Sequence, residues 1–187
     1  MTAKYSNPSI SKNQGMTLIE VLVAAVIIGI GLLGVASLQI TALQGASNAD
    51  YRSRATDHTA SLADRMRSNL QGVDDNNYIS DTDADCDAPP DPVCAMNPND
   101  TTDTGLAECT PEEMAAFDLW EVRCRNGVQS ALPGGQLVVS CIDNDDTDAD
   151  PCSSLSTMVA TVTWQVQSDS AIAETETVVT SIVPGAP

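Results

Sequence analysis

The sequence predicts an α+β fold: a long N-terminal helix packed on a small antiparallel sheet, with a second helix and a disulfide-rich insertion between them. Three observations point there. An apolar stretch from Gly15 to Leu38 runs, with no proline before Pro89, into an amphipathic stretch that reaches Leu70. Thr-Pro-Glu-Glu at 110–113 opens a second helical pattern, and six cysteines lie from Cys86 onward. After Gly135 the chain alternates apolar and polar residues in short runs, the pattern of half-buried strands.

The first helix has two halves of different character. Val21 to Leu38 would extend about 27 Å at ~1.5 Å per residue, most of a hydrocarbon core of about 30 Å. Inside this half sits one carboxylate, Glu20. A charge within a membrane helix costs about 2.5–3.5 kcal/mol even on insertion scales. A secretory signal cut after Ala36 would have a shorter apolar core and no such charge. A plain anchor, oriented by Lys4 and Lys12, leaves Glu20 without a partner. In the second half Leu38, Ala42, Ala46, Ala49, Ala55, Thr59, Leu62, Met66 and Leu70 recur at helical spacing. The small residues in that stripe let a helix lie close on a sheet. Asp50 and Arg54 form an i,i+4 pair.

Gly15, then Met-Thr-Leu-Ile-Glu at 16–20, then a long uncharged run resembles the class III leader of type IV pilins and type II secretion pseudopilins. The resemblance implies that residues 1–15 are a leader which prepilin peptidase removes after Gly15. Met16 would then be the N-methylated terminus, and Glu20 would pair with the α-amine of a neighbouring subunit. Met16 departs from the phenylalanine more often found at that position. The remaining chain would divide into a transmembrane and assembly half of the spine helix, 16–38, and a globular pilin domain, 39–187, whose first element is the amphipathic half, 39–70. Gly29, Gly31 and Gly34 fit two readings. They allow close helix packing, or the local loss of helical order that this part of the spine shows in pilin filaments.

Two further stretches carry a narrower resemblance, to PilV-type minor pilins. Leu62, Ala63, Arg65, Arg67 and Asn69 match a Leu-Ala-x-Arg-x-Arg-x-Asn pattern at the end of the spine helix. Ala116-Phe117-Asp118-Leu119, followed by Leu-Pro-Gly-Gly at 132–135, matches the helix and turn before their sheet.

Residues 71–109 read as an acidic loop rich in Asp, Asn, Thr and Pro. Alternating aspartates at 81, 83, 85 and 87, and a second run over 143–150, are clustered oxygen ligands of the kind calcium uses. Neither run has the glycine and glutamate of an EF-hand, so both read as solvated loops. The helix expected over 110–132 begins with Thr110 as cap, Pro111 in its first turn and Glu113 closing a capping box. Met114, Phe117, Trp120 or Glu121, Cys124 and Val128 form its apolar face. Strands are expected at 136–143, 157–168 and 172–183, within a sheet spanning 136–183, with a turn at 169–171 and a frayed 184–187 tail.

Composition limits function. Eight Lys and Arg stand against 26 Asp and Glu, a net charge of −18, which repels nucleic acid and anionic lipid. Six cysteines in an exported domain read as three disulfides. With no Cys-x-x-Cys pair and one histidine, His58, no metal or cofactor site is expected. Cys141 and Cys152 flank a loop between two strands and are expected to pair. Cys109 and Cys124 lie about 20 Å apart along a helix at ~1.5 Å per residue, too far for a bridge. They should therefore bond separately to Cys86 and Cys94, in either arrangement. No nucleophile–base pair is legible, so no catalytic residue is assigned.

The expected function is that of a minor pilin which enters a type IV pilus or its tip priming complex. The resemblance implies as partners other minor pilins, the major pilin, prepilin peptidase, the assembly platform and a tip adhesin. It implies a bacterial inner-membrane location, N-terminus cytoplasmic and globular domain periplasmic, before entry into the pilus. The alternatives are an I-type minor pseudopilin of a type II secretion system and, in a different class, a membrane-tethered periplasmic binding module or enzyme.

Overall fold

The computed structural model describes residues 15–81, 86–94, 108–144, 147, 152, 156–166 and 174–183. The leader up to Gln14, most of the second acidic run, the 169–171 turn and the 184–187 tail lie outside the described residues. Seven elements follow in order: α1 (Leu18–Ser68), α2 (Leu70–Asp74), α3 (Pro111–Arg123), α4 (Val128–Ala131), β1 (Gln136–Ile142), β2 (Thr157–Val166) and β3 (Glu174–Ile182). The chain divides into an N-terminal unit ending at Gln44 and a second unit from Gly45 onward.

In the N-terminal unit the described residues are apolar and solvent-exposed nearly throughout. Leu18 is 88% exposed and Leu33 73%, so none of the described residues covers these side chains. Burying even one such side chain is worth about 1.5–3 kcal/mol. The helix runs unbroken through Gly29, Gly31 and Gly34.

The second unit holds the core. Its part of α1 buries Ala55, Thr59, Leu62, Ala63 and Met66, whereas Ala46 and Ala49 are exposed. The buried stripe therefore starts later than the sequence periodicity suggested. The sheet is antiparallel in the order β1-β2-β3. On its inner face Leu137, Val139, Met158, Ala160, Val162, Trp164 and Ile182 join the helix residues in one hydrophobic cluster. Thr180 Oγ1 donates to Thr59 Oγ1 at 2.9 Å, tying β3 to α1 inside that core. Register puts Glu176 opposite Trp164 and Glu174 opposite Val166 on the inner face, and both glutamates are exposed.

Two elements differ from the expected outline. The first helix stops at Ser68 because Asn69 leaves the helical region (φ −130°, ψ 59°) and its side chain caps α2, accepting from the Gly72 amide at 3.2 Å. The single helix expected over 110–132 is two helices, α3 and α4. Its start is as read, with Thr110 and Glu113 forming a reciprocal capping box and Pro111 in the first turn. It ends at Arg123, because Asn126 takes a left-handed φ of 56° and the chain folds back at Gly127. A Cβ there would overlap the Val122 carbonyl, so only glycine fits. In Leu-Pro-Gly-Gly, Leu132 is buried and Gly134 has φ 58°, which a larger residue adopts only with strain.

Candidate functional site

The sequence singles out two kinds of residue, and the structure places them far apart along the chain. Gly15 and Met16 immediately precede α1, and Glu20 lies in its first turn. All three are exposed. A carboxylate in the first turn of a helix is favoured by the helix dipole, so Glu20 also steadies the end it occupies. No other charged residue follows until Asp50. The result is a helix end whose single ionic group stands at the head of an uncovered apolar cylinder.

The six cysteines form three bridges. Cys141 bonds Cys152, Cys86 bonds Cys124 and Cys94 bonds Cys109, with Cα separations of 6.1, 5.3 and 5.8 Å. Of the two arrangements open to Cys109 and Cys124, the structure has Cys124 on Cys86. Because Cys109 precedes the α3 cap and Cys124 follows its last residue, residues 86–94 are tied to both ends of that helix.

A buried polar cluster joins the spine to α3. Arg65 Nη1 donates to Asp118 Oδ1 at 2.7 Å, and its Nη2 meets Glu121 Oε2 at 2.7 Å. Tyr78 Oη donates to the other carboxylate oxygen of Asp118 at 2.6 Å. Asn69 Nδ2 reaches Tyr78 Oη at 3.2 Å and the Pro111 carbonyl at 2.8 Å. Asp118 is 4% exposed and Tyr78 fully buried, so these bonds act where water competes little. Burial pulls the Arg65 guanidinium down, but the hydrogen bond and charge of Asp118 and the charge of Glu121 outweigh it and raise its pKa. Burial, followed by the bond to Asp118, pushes the Tyr78 phenol well above its ordinary value.

Sequence reasoning marked Arg65 and Asn69 at one end of this cluster and Asp118 at the other, but did not connect them. It missed Tyr78 altogether, which lies in what reads as an acidic loop. It also expected Met114, Phe117 and Trp120 on the buried face of α3. The buried residues there are Ala115, Phe117, Asp118, Leu119, Val122 and Arg123. Two charges on that face were the available signal, since a buried charge demands a partner.

The Tyr78 shift has a consequence for stability against pH. The folded state holds the phenol neutral, so this stabilisation is complete below the ordinary tyrosine value of 10.0 and is lost as pH rises above it. The melting temperature of the globular unit should therefore fall between about pH 10 and 11. Tyr78→Phe should melt lower at neutral pH and show a flatter alkaline decline. Melting curves from pH 8 to 11 check this.

Among the described residues no group of three or more His, Cys, Asp or Glu is placed to hold a metal ion. The half-buried His58 is held below its ordinary value, mainly by burial, with Asp57 opposing.

An apolar helix carrying one carboxylate near its start, continued into a helix that packs on a small antiparallel sheet, defines a pilin-like α+β fold. Comparison with known families agrees. The prokaryotic N-terminal methylation motif matches residues 10–36, and the family of type IV pilin Tt1218 matches residues 37–120. The chain is a type IV pilin-like protein. The second match ends within α3, before the sheet begins. No curated protein and no solved structure matches the chain. As a pilin with a prepilin motif, it has prepilin peptidase and pilus components as its general partners.

Proposed function

We propose that this protein is a minor pilin of PilV type, processed after Gly15, held in the inner membrane by residues 16–38 and then built into a type IV pilus or its tip priming complex. The observation that carries the reading is the N-terminal unit. Its apolar side chains are exposed over the whole of α1 up to Leu43, with Glu20 the one charge. Such a surface is stable only in lipid or among similar helices. Membrane anchorage before assembly and helix packing after it supply both environments in turn.

The minor-pilin reading is supported by the buried cluster, which joins the two stretches that resemble PilV-type proteins. Arg65 and Asn69 come from the first, Asp118 from the second. The sheet adds a supporting feature. Its outward face, from Gln136 across Val138, Val159 and Val179 to Ser181, carries no charged side chain. In a chain of net charge −18, that is where like-charged subunits repel least. The role is structural rather than enzymatic, and the partners are other minor pilins, the major pilin, the assembly platform and a tip adhesin.

The test is fractionation. The processed protein should be recovered in sheared pili at a small fraction of the major subunit, and its deletion should lower the number of surface pili. Recovery only in the membrane fraction, with piliation unchanged by deletion, would overturn the proposal.

A further inference from the structure

The sheet has one open edge. In the order β1-β2-β3 the outer strands are β1 and β3, and β1 is met on its free side by Ser80, which bridges to Val139. Among the described residues no backbone hydrogen bond reaches the free side of β3. Its nine residues include neither proline nor glycine. Alternate residues of an antiparallel strand direct both N–H and C=O to the same side, so the empty side of β3 carries a regular row of donors and acceptors. Such a row is a template for a further strand.

The charges on the sheet are concentrated at this edge. Over all three strands the charged side chains are Glu174 and Glu176. Both lie on the inner face of β3, opposite the buried Val166 and Trp164, yet both are exposed. Neither carboxylate has an ion-pair or hydrogen-bond partner among the described residues. From Thr177 to Ile182 the strand is uncharged. A strand added here would set side chains directly beside the two carboxylates. An acidic residue would meet like charge there, and an apolar one would strip water from a carboxylate without replacing it. A lysine or arginine would pair with it.

A second copy of this chain has no such strand. After Gly15 its cations are Arg52, Arg54, Arg65 and Arg67 on α1, Arg123 at the end of α3, and Arg125 in the short connection to α4. Lys4 and Lys12, before Gly15, are not at alternate positions.

We propose that the free edge of β3 binds an extended segment of a different protein, added antiparallel as a fourth strand. The segment carries lysine or arginine at two alternate positions, opposite Glu174 and Glu176, and uncharged residues opposite Val178 to Ile182. Backbone hydrogen bonds hold it, and the two carboxylates decide which segments are accepted and which are repelled. They also fix register, because a slip of one residue turns both cations to the other face of the sheet. This inference concerns the edge of the globular unit and does not depend on the spine or on the assembly reading.

The test uses nitrogen-15-labelled processed protein in detergent micelles, at about 0.15 M salt so that distant charges are screened. Three peptides, blocked at both ends, are titrated in. The first is Val-Thr-Val-Thr-Lys-Thr-Lys. The second has glutamate in place of both lysines. The third keeps both lysines and has proline everywhere else, so it has the charge without the row of N–H donors. The first should bind saturably, with a dissociation constant on the order of 0.1 mM, and should slow hydrogen exchange at alternate β3 amides. The other two should bind at least about tenfold more weakly. Glu174→Gln combined with Glu176→Gln, at exposed positions, should leave the melting temperature unchanged and weaken binding of the first peptide about fivefold. Unchanged exchange on β3, or equal binding of the lysine and glutamate peptides, would overturn the proposal. Equal binding of the proline peptide would show attraction to net charge alone and overturn it, as would full binding by the double variant.

Discussion

Glu20→Ala should give a chain that is cut normally but enters filaments about tenfold less well, a loss of roughly 1.4 kcal/mol or more in the docking step. The physical reason lies in the solvent around the helix end. Glu20 is the one charged side chain between Gly15 and Asp50. In lipid, an unpaired carboxylate must either take up a proton or carry a cost of several kcal/mol. In the proposed filament the Met16 amine of a neighbouring subunit would neutralise it, and because that pair would form at one axial offset between helices, it would set register as well as affinity. Without the carboxylate, the apolar cylinder still fits its neighbours at several offsets. Glu20→Asp keeps the charge but shortens the reach, and should be intermediate. The ratio of processed membrane protein to protein in sheared pili measures the effect. An unchanged ratio for Glu20→Ala would mean that contacts of the globular unit set assembly.

Asp118→Ala is expected to be the most destabilising single change in the globular unit, about 3–5 kcal/mol. Total stabilities of single domains are about 5–15 kcal/mol, so this is a large share. The substitution removes the acceptor of two short bonds, 2.7 Å from Arg65 and 2.6 Å from Tyr78. Tyr78, fully buried, is left with only the weaker 3.2 Å contact to Asn69. Arg65 retains Glu121. Asp118→Asn keeps an acceptor and should cost less, about 1.5–3 kcal/mol, the worth of hydrogen bonds to a charged group. Urea unfolding of the processed chain, followed by tryptophan fluorescence, tests both. A loss below about 1 kcal/mol for Asp118→Ala would show that the cluster is replaceable by water.

The parts of this protein governed by local rules were legible in the sequence. The spine follows from apolar length and periodicity, the α3 start from Thr110, Pro111 and Glu113, and the strands from their alternation. Cys141 and Cys152 were close enough in sequence, and suitably flanked by strands, to suggest their bond. What escaped depends on residues far apart in the chain. Tyr78 and Asp118 are 40 residues apart, and nothing at either position alone says that they meet. The break at Asn126 and Gly127 was hidden because Cys124 and Val128 continue the helical spacing across it. That spacing is real, but at Gly127 the chain closes back on the Val122 carbonyl, a tight local turn that apolar spacing does not report. The late start of the buried stripe has a similar cause. Ala46 and Ala49 keep the periodicity while lying outside the core. Arg123 shows the opposite case, a charge that sequence rules place outside and that three acceptors from two other segments, Ser80-Asp81 and Leu137, hold within.

The central claim, a pilin subunit released from its leader and assembled through its N-terminal helix, is tested most directly by the mass of the N-terminal peptide of protein extracted from membranes and from sheared pili. In both fractions the chain should begin at Met16 and be one methyl group heavier than the unmodified sequence. A chain that begins at Ser37, or one that keeps Lys4 and Lys12, would contradict it.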